Sequence, residues 1–515
     1  MDARNDDSQP TPPDSAPQAG PSGAAIVAAA MTLLIPLALG QFICSFSGSA
    51  TNVAINNIAQ DLGTTVTGVQ SAITLFTLTM AALMIPGSKV TDIWGRKFCF
   101  ELGLMVYGLG GLIAALAPNL GVMILGYSLL EGIGSALLIP PVYILITIAF
   151  TDLSERARSF GIVSGAAGVG SAMGPLIGGV VTTAISWRAT FLLEVLVVAA
   201  IIVSGHRRIP DPAVRGPKPR FDALGAVLGA AGLFFVVFGV LQTSTYGWLA
   251  ARQDVVIGTT VVIPQGGISP LWPLLAIGAF FLALFFRHIR SMERTGKEPL
   301  LATKLFRNRV SNLGLVTQNI QWLLIQGTFF VVSVFLQTAR GFSAIQTGLT
   351  LTPATIGILL TSALAGRMAR RRLQKRLIEG GFVLTIIGTV LLMLLGSAAS
   401  NVLALIPGLF LIGAGVGVML TSSVNVVQSA FPEKDQGEIS GLSRSVSNLG
   451  SSFGTAIAGS VIVSNVLEGH KDFGLALVVM VGFACLGLLA AILIPSQQAS
   501  PQLANTQPLR GQPAT

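Results

Sequence analysis

The chain has 515 residues, of which 52% are hydrophobic and only 10% charged, with a formal net charge of +9. Soluble domains carry about 25% charged residues, so this composition excludes a soluble globular protein and predicts an integral membrane protein. The three cysteines, Cys44, Cys99 and Cys485, lie far apart in apolar segments, which argues against a disulfide framework and against a metal site.

In chain order, Met1 to Gly23 is rich in Pro, Ser, Asp and Gln, with Arg4 its only basic residue. A secretory signal starts basic and then turns apolar, so residues 1–24 are predicted to be a disordered cytoplasmic tail. Fourteen apolar runs long enough to cross about 30 Å of hydrocarbon follow. They lie near 25–46, 67–86, 98–118, 120–148, 159–183, 188–204, 222–242, 271–286, 310–336, 346–366, 378–398, 402–428, 441–465 and 474–494. Residues 495–515 form a second polar tail. Of 31 Lys and Arg residues, 27 fall on the side of both tails, Arg444 among them; only Arg188, Arg252, Arg340 and Lys471 fall opposite. Such a bias marks the cytoplasmic side, so both termini are predicted inside. Topology accounts for the basic clusters, and no nucleic-acid partner is needed.

The longest external connection, Thr243 to Pro270, contains an apolar run from Val255 to Ile263. That run suits a small hairpin turning at Gly258-Thr259, or a short re-entrant segment, with Trp248 and Trp272 as interfacial anchors. The longest internal connection, Arg287 to Arg309, suits a hinge between halves.

The run from Gly161 to Val181 reads GIVSGAAGVGSAMGPLIGGVV, with seven glycines in 21 residues. At about 100° per residue, Gly161, Gly165, Gly168, Ala172 and Gly179 share one face, and Gly170, Gly174 and Gly178 lie roughly opposite. Small residues let helices approach closely in lipid, so this helix should be clamped between two neighbours. Pro175 should bend it near Gly174. Shifted by 280 residues the pattern recurs, with Gly170 on Gly450, Gly174 on Gly454 and Gly179 on Gly459. Parallel repeats of this kind enclose a midplane site and alternate its access by rocking. The predicted organisation is a six-helix amino-terminal half (25–204), a linker with two extra transmembrane helices and an external loop (205–309), and a six-helix carboxyl-terminal half (310–494).

Gly87-Ser-Lys-Val-Thr-Asp-Ile-Trp-Gly-Arg-Lys97 resembles the signature loop of the major facilitator superfamily, and Gly174-Pro-Leu-Ile-Gly-Gly179 resembles the antiporter motif of its drug-exporting members. Asn52-Val-Ala, Trp187-Arg188, Leu305-Phe-Arg-Asn-Arg309, and Gly341-Phe-Ser with Gly348 extend the similarity to the fourteen-helix drug:proton antiporter family, over roughly residues 45–465. The resemblance implies an all-α major facilitator fold of two six-helix halves related by a pseudo-twofold, plus two inserted central helices. It also implies gating and conformational roles for Gly87, Asp92, Gly95, Arg96, Lys97, Gly170, Gly174, Pro175, Gly178, Gly179, Gly450 and Gly454. Asp92 would cap the span beginning near Ser440-Gly441, where a carboxylate meets a helix N-terminus favourably, with Arg96 and Lys97 completing a cytoplasmic latch. Three positions depart from the family pattern. Ile93 replaces a usual arginine, Ser47 a first-span aspartate and Ser128 a fourth-span arginine. Losing both of the last two avoids stranding a buried charge, and it removes the family's usual proton-handling pair.

Of 22 acidic residues, only Glu101, Glu131 and Glu194 lie inside spans. Acids there are costly, about 2.5–3.5 kcal/mol for Asp on insertion scales, and read as functional sites; all three are proton-coupling candidates. Glu101 sits one turn past Lys97 and can simply pair with it. Glu194 stands where the family has asparagine, with Arg188 poorly placed to pair locally. Glu131 stands where the family has glutamine, with no basic residue on its span. Burial without a cation favours the neutral form, as a proton carrier needs; a protonated carboxyl bonded to a neighbouring helix is the structural alternative. Neutral polar groups supply the substrate-cavity candidates Gln41, Asn52, Gln318, Asn319, Gln321, Trp322 and Asn425, with Gln326 and Gln428 nearby. Interhelical glue, worth about 0.6 kcal/mol per contact, is the other use for such groups.

The sequence contains no phosphate loop, no catalytic Ser/His pair and no metal-ligand spacing, so neither an enzyme nor a cofactor or metal site is expected. The predicted function is a secondary active transporter exporting drugs or small organic solutes in exchange for protons, in a plasma membrane of bacterial inner-membrane type. Its partners would be the small-molecule substrate, protons and the bilayer, with no protein partner required. One proton suffices: about 2.3 kcal/mol per charge at 100 mV plus about 1.4 per pH unit sustain a several-hundred-fold gradient of a neutral solute. For a monovalent cation the electrical part cancels, leaving about tenfold. The alternatives are a metabolite facilitator or symporter with altered coupling, and a non-transporting sensor or scaffold.

Overall fold

The computed structural model describes residues 23–150, 153–206, 209, 221–257, 260–371, 374–398, 402–432, 435–467 and 473–495. The tails expected at the two ends and the turn at Gly258-Thr259 lie outside these residues, apart from a residue or two at the inner edge of each tail. In lipid every backbone polar group needs an internal partner, and the long apolar runs accordingly fold as helices. The amino-terminal half comprises α1 (Gly23–Val53), α2 (Ile55–Asp61), α3 (Val66–Trp94), α4 (Arg96–Ala115), α5 (Leu120–Met123), a π-helical segment (Ile124–Glu131), α6 (Gly132–Ala149), α7 (Leu153–Ala184) and α8 (Trp187–Gly205). The inserted pair is α9 (Ala223–Tyr246) and α10 (Leu271–Arg294). The carboxyl-terminal half comprises α11 (Arg309–Val334), α12 (Ala344–Arg371), α13 (Gln374–Ala398), α14 (Ile406–Gln428), α15 (Gln436–Leu467) and α16 (Gly474–Leu493).

Among the described residues, thirteen helical segments are long and apolar enough to cross a membrane. The fourteenth long helix is α15. At 32 residues it is rich in serine and about 48 Å long. Those serines are spent on neighbours: Ser443 donates to Gln318 at 2.9 Å, Ser445 to the Ala81 carbonyl at 2.5 Å, and Ser452 and Thr77 pair at 2.7 Å. A helix enclosed by protein tolerates hydroxyls that a lipid-facing one would not.

Two glycine helices organise the molecule. α7 packs on α1 within its half and on α12 across the interface; α15 packs on α11 within its half and on α3 across it. A methyl group at Gly170, Gly174 or Gly178 would strike Phe42, Phe46 or Ala50 of α1, and one at Gly179 would strike the Ala344 carbonyl of α12. In α15, Gly450 and Gly454 meet the Asn319 and Leu323 carbonyls of α11 in the same way. By contrast, a methyl group at Gly161 or Gly165 meets nothing. The two-sided clamp therefore operates from Gly168 outward and not along the whole run. α7 continues unbroken through Pro175, whose carbonyl is approached by Gly348 of α12. The inserted pair packs together, with α9 lying against both α3 and α15.

The external loop is a two-stranded antiparallel hairpin, β1 (Val255–Ile257) with β2 (Thr260–Ile263), and not a re-entrant segment. At the outer end of α8, Arg188 clamps the amino half: it hydrogen-bonds Asp61 of α2 and the Ala117 carbonyl (2.9 Å), while Trp187 donates to Asp61 at 3.0 Å. Its hydrogen bond holds the Asp61 carboxyl below the usual carboxylate range, with help from Trp187. A depressed acid stabilises the fold above its unfolded value of about 3.9 and loses that contribution as pH falls through the folded value. Arg188→Gln should therefore cost a constant, small amount of thermal stability in detergent between pH 5 and 8, and the cost should vanish on further acidification.

The signature loop differs from its expectation. Gly95 adopts φ of +103° between α3 and α4, which only glycine takes readily, and a side chain at Gly87 would strike the Ala136 carbonyl of α6. Asp92 lies 3.9 Å from Arg96, and Lys97 donates to the His206 carbonyl at 2.6 Å. Both contacts stay within the amino half. The cross-half latch is instead Lys89 with Glu438 of α15, at 3.0 Å. Glu438 also accepts from the Ala302 N–H of the linker at 3.2 Å. Lys89 precedes Asp92 by about one helical turn on α3, and Asp92 lies within electrostatic reach of the same Glu438.

Candidate functional site: a carboxyl pair beside a closed cavity

The halves enclose a cavity of about 40 Å³ whose lining includes Gln41, Cys44, Phe76, Trp322, Gln326 and Arg444. That is room for about one water, whose share of liquid volume is about 30 Å³. Pockets for drug-sized ligands are about 300–1,000 Å³, so the halves must move apart to admit a substrate.

Next to this cavity, in the amino half, lie two of the predicted acids. Glu131 is 0% and Glu194 1% exposed. Ser47 of α1 donates to Glu131 Oε2 at 3.1 Å, and Tyr107 of α4 donates to Glu194 Oε2 at 2.9 Å. Each carboxyl lies within reach of both hydroxyls, and among the described residues no cation acts on either. Glu131 Oε1 is buried without a hydrogen-bond partner. Ser47, where the family's aspartate would stand, has thus become a donor to an acid on another helix. Ser128, at the arginine position, turns away and donates to the Ala72 carbonyl at 2.7 Å.

Backbone geometry sets this arrangement. Glu131 ends the π-helical segment Ile124–Glu131, and π-bulges recur at functional sites. α4 presses against that segment through Gly110 and Gly126; a methyl group at Gly110 would strike the Glu131 N–H, and one at Gly111 would crowd Oε1. Gly110 and Gly111 position the acid, a role invisible in the sequence because it depends on a contact between two helices. Cys44, which receives the Ser135 hydroxyl at 3.3 Å, lines the cavity and lies within electrostatic reach of Glu131, Glu194 and Arg444.

The remaining candidates divide. Gln41 and Trp322 line the cavity, and Gln41 accepts from Tyr143 at 3.4 Å. Asn52 lies outward of it, its carbonyl accepting from Gln337 of the carboxyl half at 3.5 Å in a contact that closes the outer side. Gln318, Asn319 and Gln321 bond to Ser443, the Val446 carbonyl and Ser423 within the carboxyl half, Gln318 through Oε1 alone, its Nε2 being buried without a partner; they tie helices together and lie outside the cavity lining. Asn425 is exposed near the end of α14. Glu101 does not pair with Lys97. It meets His206 Nδ1 at 3.0 Å near the cytoplasmic end of α4, well away from the other two acids. Arg444, counted as a loop residue from the sequence, lies two turns inside α15 against Tyr143.

Two helix bundles meeting on glycine seams around a closed polar cavity define a secondary transporter. The family model of the Major Facilitator Superfamily matches residues 37–455, and the chain belongs to that superfamily. It is similar to the puromycin resistance protein pur8 of Streptomyces alboniger, 27% identical over 86% of this chain and 83% of that one. The cephamycin export protein CmcT of Amycolatopsis lactamdurans is 29% identical over 93% of this chain and 94% of its own length. The multidrug efflux pump LfrA of Mycolicibacterium smegmatis is 26% identical over 84% and 81%. The protein is thus a multi-pass transporter of small molecules and not an enzyme, and its bacterial relatives put it in the inner membrane.

Proposed function

We propose that the protein exports small organic compounds in exchange for protons, and that the Glu131–Glu194 pair is the proton site. The observation that carries this reading is a pair of buried carboxyls that share two hydroxyls, with no cation acting on them among the described residues, in electrostatic reach of Cys44, which lines the cavity. Two carboxylates in one dry pocket cannot both hold charge, so at least one proton resides there while the pocket is closed. Opening to water on one side lets the pair ionise. Rocking of the 25–204 half against the 310–494 half, on the seams of α7 and α15, would alternate which side that is. The names of the relatives, which include puromycin resistance and multidrug efflux, support export as the direction. In inverted membrane vesicles acidified inside, an exported compound should release trapped protons and restore the fluorescence of a quenched pH dye. Puromycin is the first compound to try. Accumulation of the compound with no proton release would overturn the coupling.

A further inference from the structure

We propose that the cavity recognises an organic anion, an aromatic or otherwise apolar body bearing a carboxylate or similar acidic group, through Arg444 and Asn448. Both residues line the cavity from α15, one helical turn apart. The Arg444 guanidinium stacks over the Tyr143 ring, 5.1 Å from its centroid, and meets the Tyr143 hydroxyl. Among the described residues it forms no ion pair, and the influences on it include neither Glu131 nor Glu194. Asn448 Nδ2 is buried with no hydrogen-bond partner.

A cation held in a closed cavity without a counter-charge is costly unless something neutralises it. Here Tyr143 supports it through the ring face and the oxygen, which a guanidinium accepts. That support is neutral and can be displaced. An incoming carboxylate offers a charged partner whose two oxygens match the guanidinium fork. Asn448 adds an unused donor on the same helix face. Phe76 and Trp322 supply aromatic surface for the apolar body. The lining therefore combines one positive charge, spare donors and aromatic walls, which suits an acid better than a cation.

This assignment rests on the proton-exchange reading and deepens it. Exporting a monovalent anion against one inward proton moves two charges down an inside-negative potential. The driving forces that sustain a several-hundred-fold gradient of a neutral solute would then sustain one on the order of ten-thousand-fold.

Equilibrium dialysis of the purified full-length protein against 1-naphthoate, 1-naphthamide and 1-naphthylmethylammonium at pH 7 tests it. The naphthoate should bind at least about tenfold tighter than the amide, as for a hydrogen bond to a charged group. Arg444→Gln should reduce naphthoate to the affinity of the amide, with a melting temperature in detergent close to the parent's showing that the variant is folded. Arg444→Lys should retain part of the preference. Equal binding of acid and amide, preference for the ammonium, no measurable naphthoate binding, or an acid preference surviving in Arg444→Gln would each overturn the assignment. If proton release with puromycin persists while naphthoate fails to bind, only the anion site falls. If naphthoate binds selectively and no compound releases protons, the coupling falls and the site stands.

Discussion

Glu131→Gln should abolish proton-driven export, leaving accumulation in energised vesicles at the level of vesicles without the protein. Glutamine keeps the volume of the side chain and can still accept the Ser47 hydroxyl at the position of Oε2, so packing should be preserved. What is lost is the only change of charge that the side chain can undergo. Glu194→Gln should be milder. Tyr107 donates to Glu194 at 2.9 Å and can donate equally to an amide oxygen, while Glu131 remains to titrate without its acidic neighbour. Export should persist in that variant with an altered pH profile. If both variants export as the parent does, the carboxyl pair is structural.

Gly174→Leu should be the most damaging single change on the glycine helices. A side chain there meets the Ser49 hydroxyl, the Ala50 N–H and the Phe46 carbonyl of α1, two of which are backbone and cannot rotate away. Overpacking a core typically costs about 1–3 kcal/mol, and a clash with backbone falls at or beyond the top of that range. The expected result is a large drop in folded yield and a lowered melting temperature in detergent. Gly161→Leu, on the same helix, should be nearly neutral, since nothing lies within 4 Å of an added Cβ there. Thermal melts of the two variants measure the difference directly. Similar losses in both would mean that α7 is intolerant for its glycine content and not for its packing.

The contrast between these two glycines also marks what the sequence could reveal. Spacing on one helix is a local property, so the two small-residue faces of Gly161–Val181 and their copy 280 residues later were legible. Which part of each face touches a neighbour depends on how far the halves have closed, and that is not written in the spacing. Glu131 was legible for a similar reason: its own span holds no cation. Its partners were not. Ser47 and Tyr107 arrive from α1 and α4, and the π-helical segment that ends at Glu131 packs closely on α4 at Gly110 and Gly126.

The differences between sequence and structure have specific physical causes. Arg444 was grouped with cytoplasmic loop charges because it lies close to a span boundary. α15 in fact begins at Gln436, which carries Arg444 about 12 Å along the helix and into the cavity. By spacing alone the amides of the ninth span suit a cavity lining, because they cover every face of α11. Most of those faces are buried against α14, α15 and α16, where Gln318, Asn319 and Gln321 find serine and backbone partners. The resemblance gives Asp92 the contact with α15; the ion pair that crosses is Lys89 with Glu438, and Asp92 lies within electrostatic reach of the same Glu438. A motif identifies the loop that reaches across the interface without fixing which of its residues does so.

The most direct test of the central claim, that Glu131 couples proton movement to a cavity it does not line, compares two fluxes in proteoliposomes of the Glu131→Gln variant. One is export driven by a pH gradient; the other is exchange of labelled for unlabelled substrate with no gradient. Exchange requires the cavity and the rocking halves but no net proton transfer. The predicted result is that gradient-driven export is lost while exchange continues near the parental rate. Loss of both fluxes together, or retention of both, would contradict the assignment.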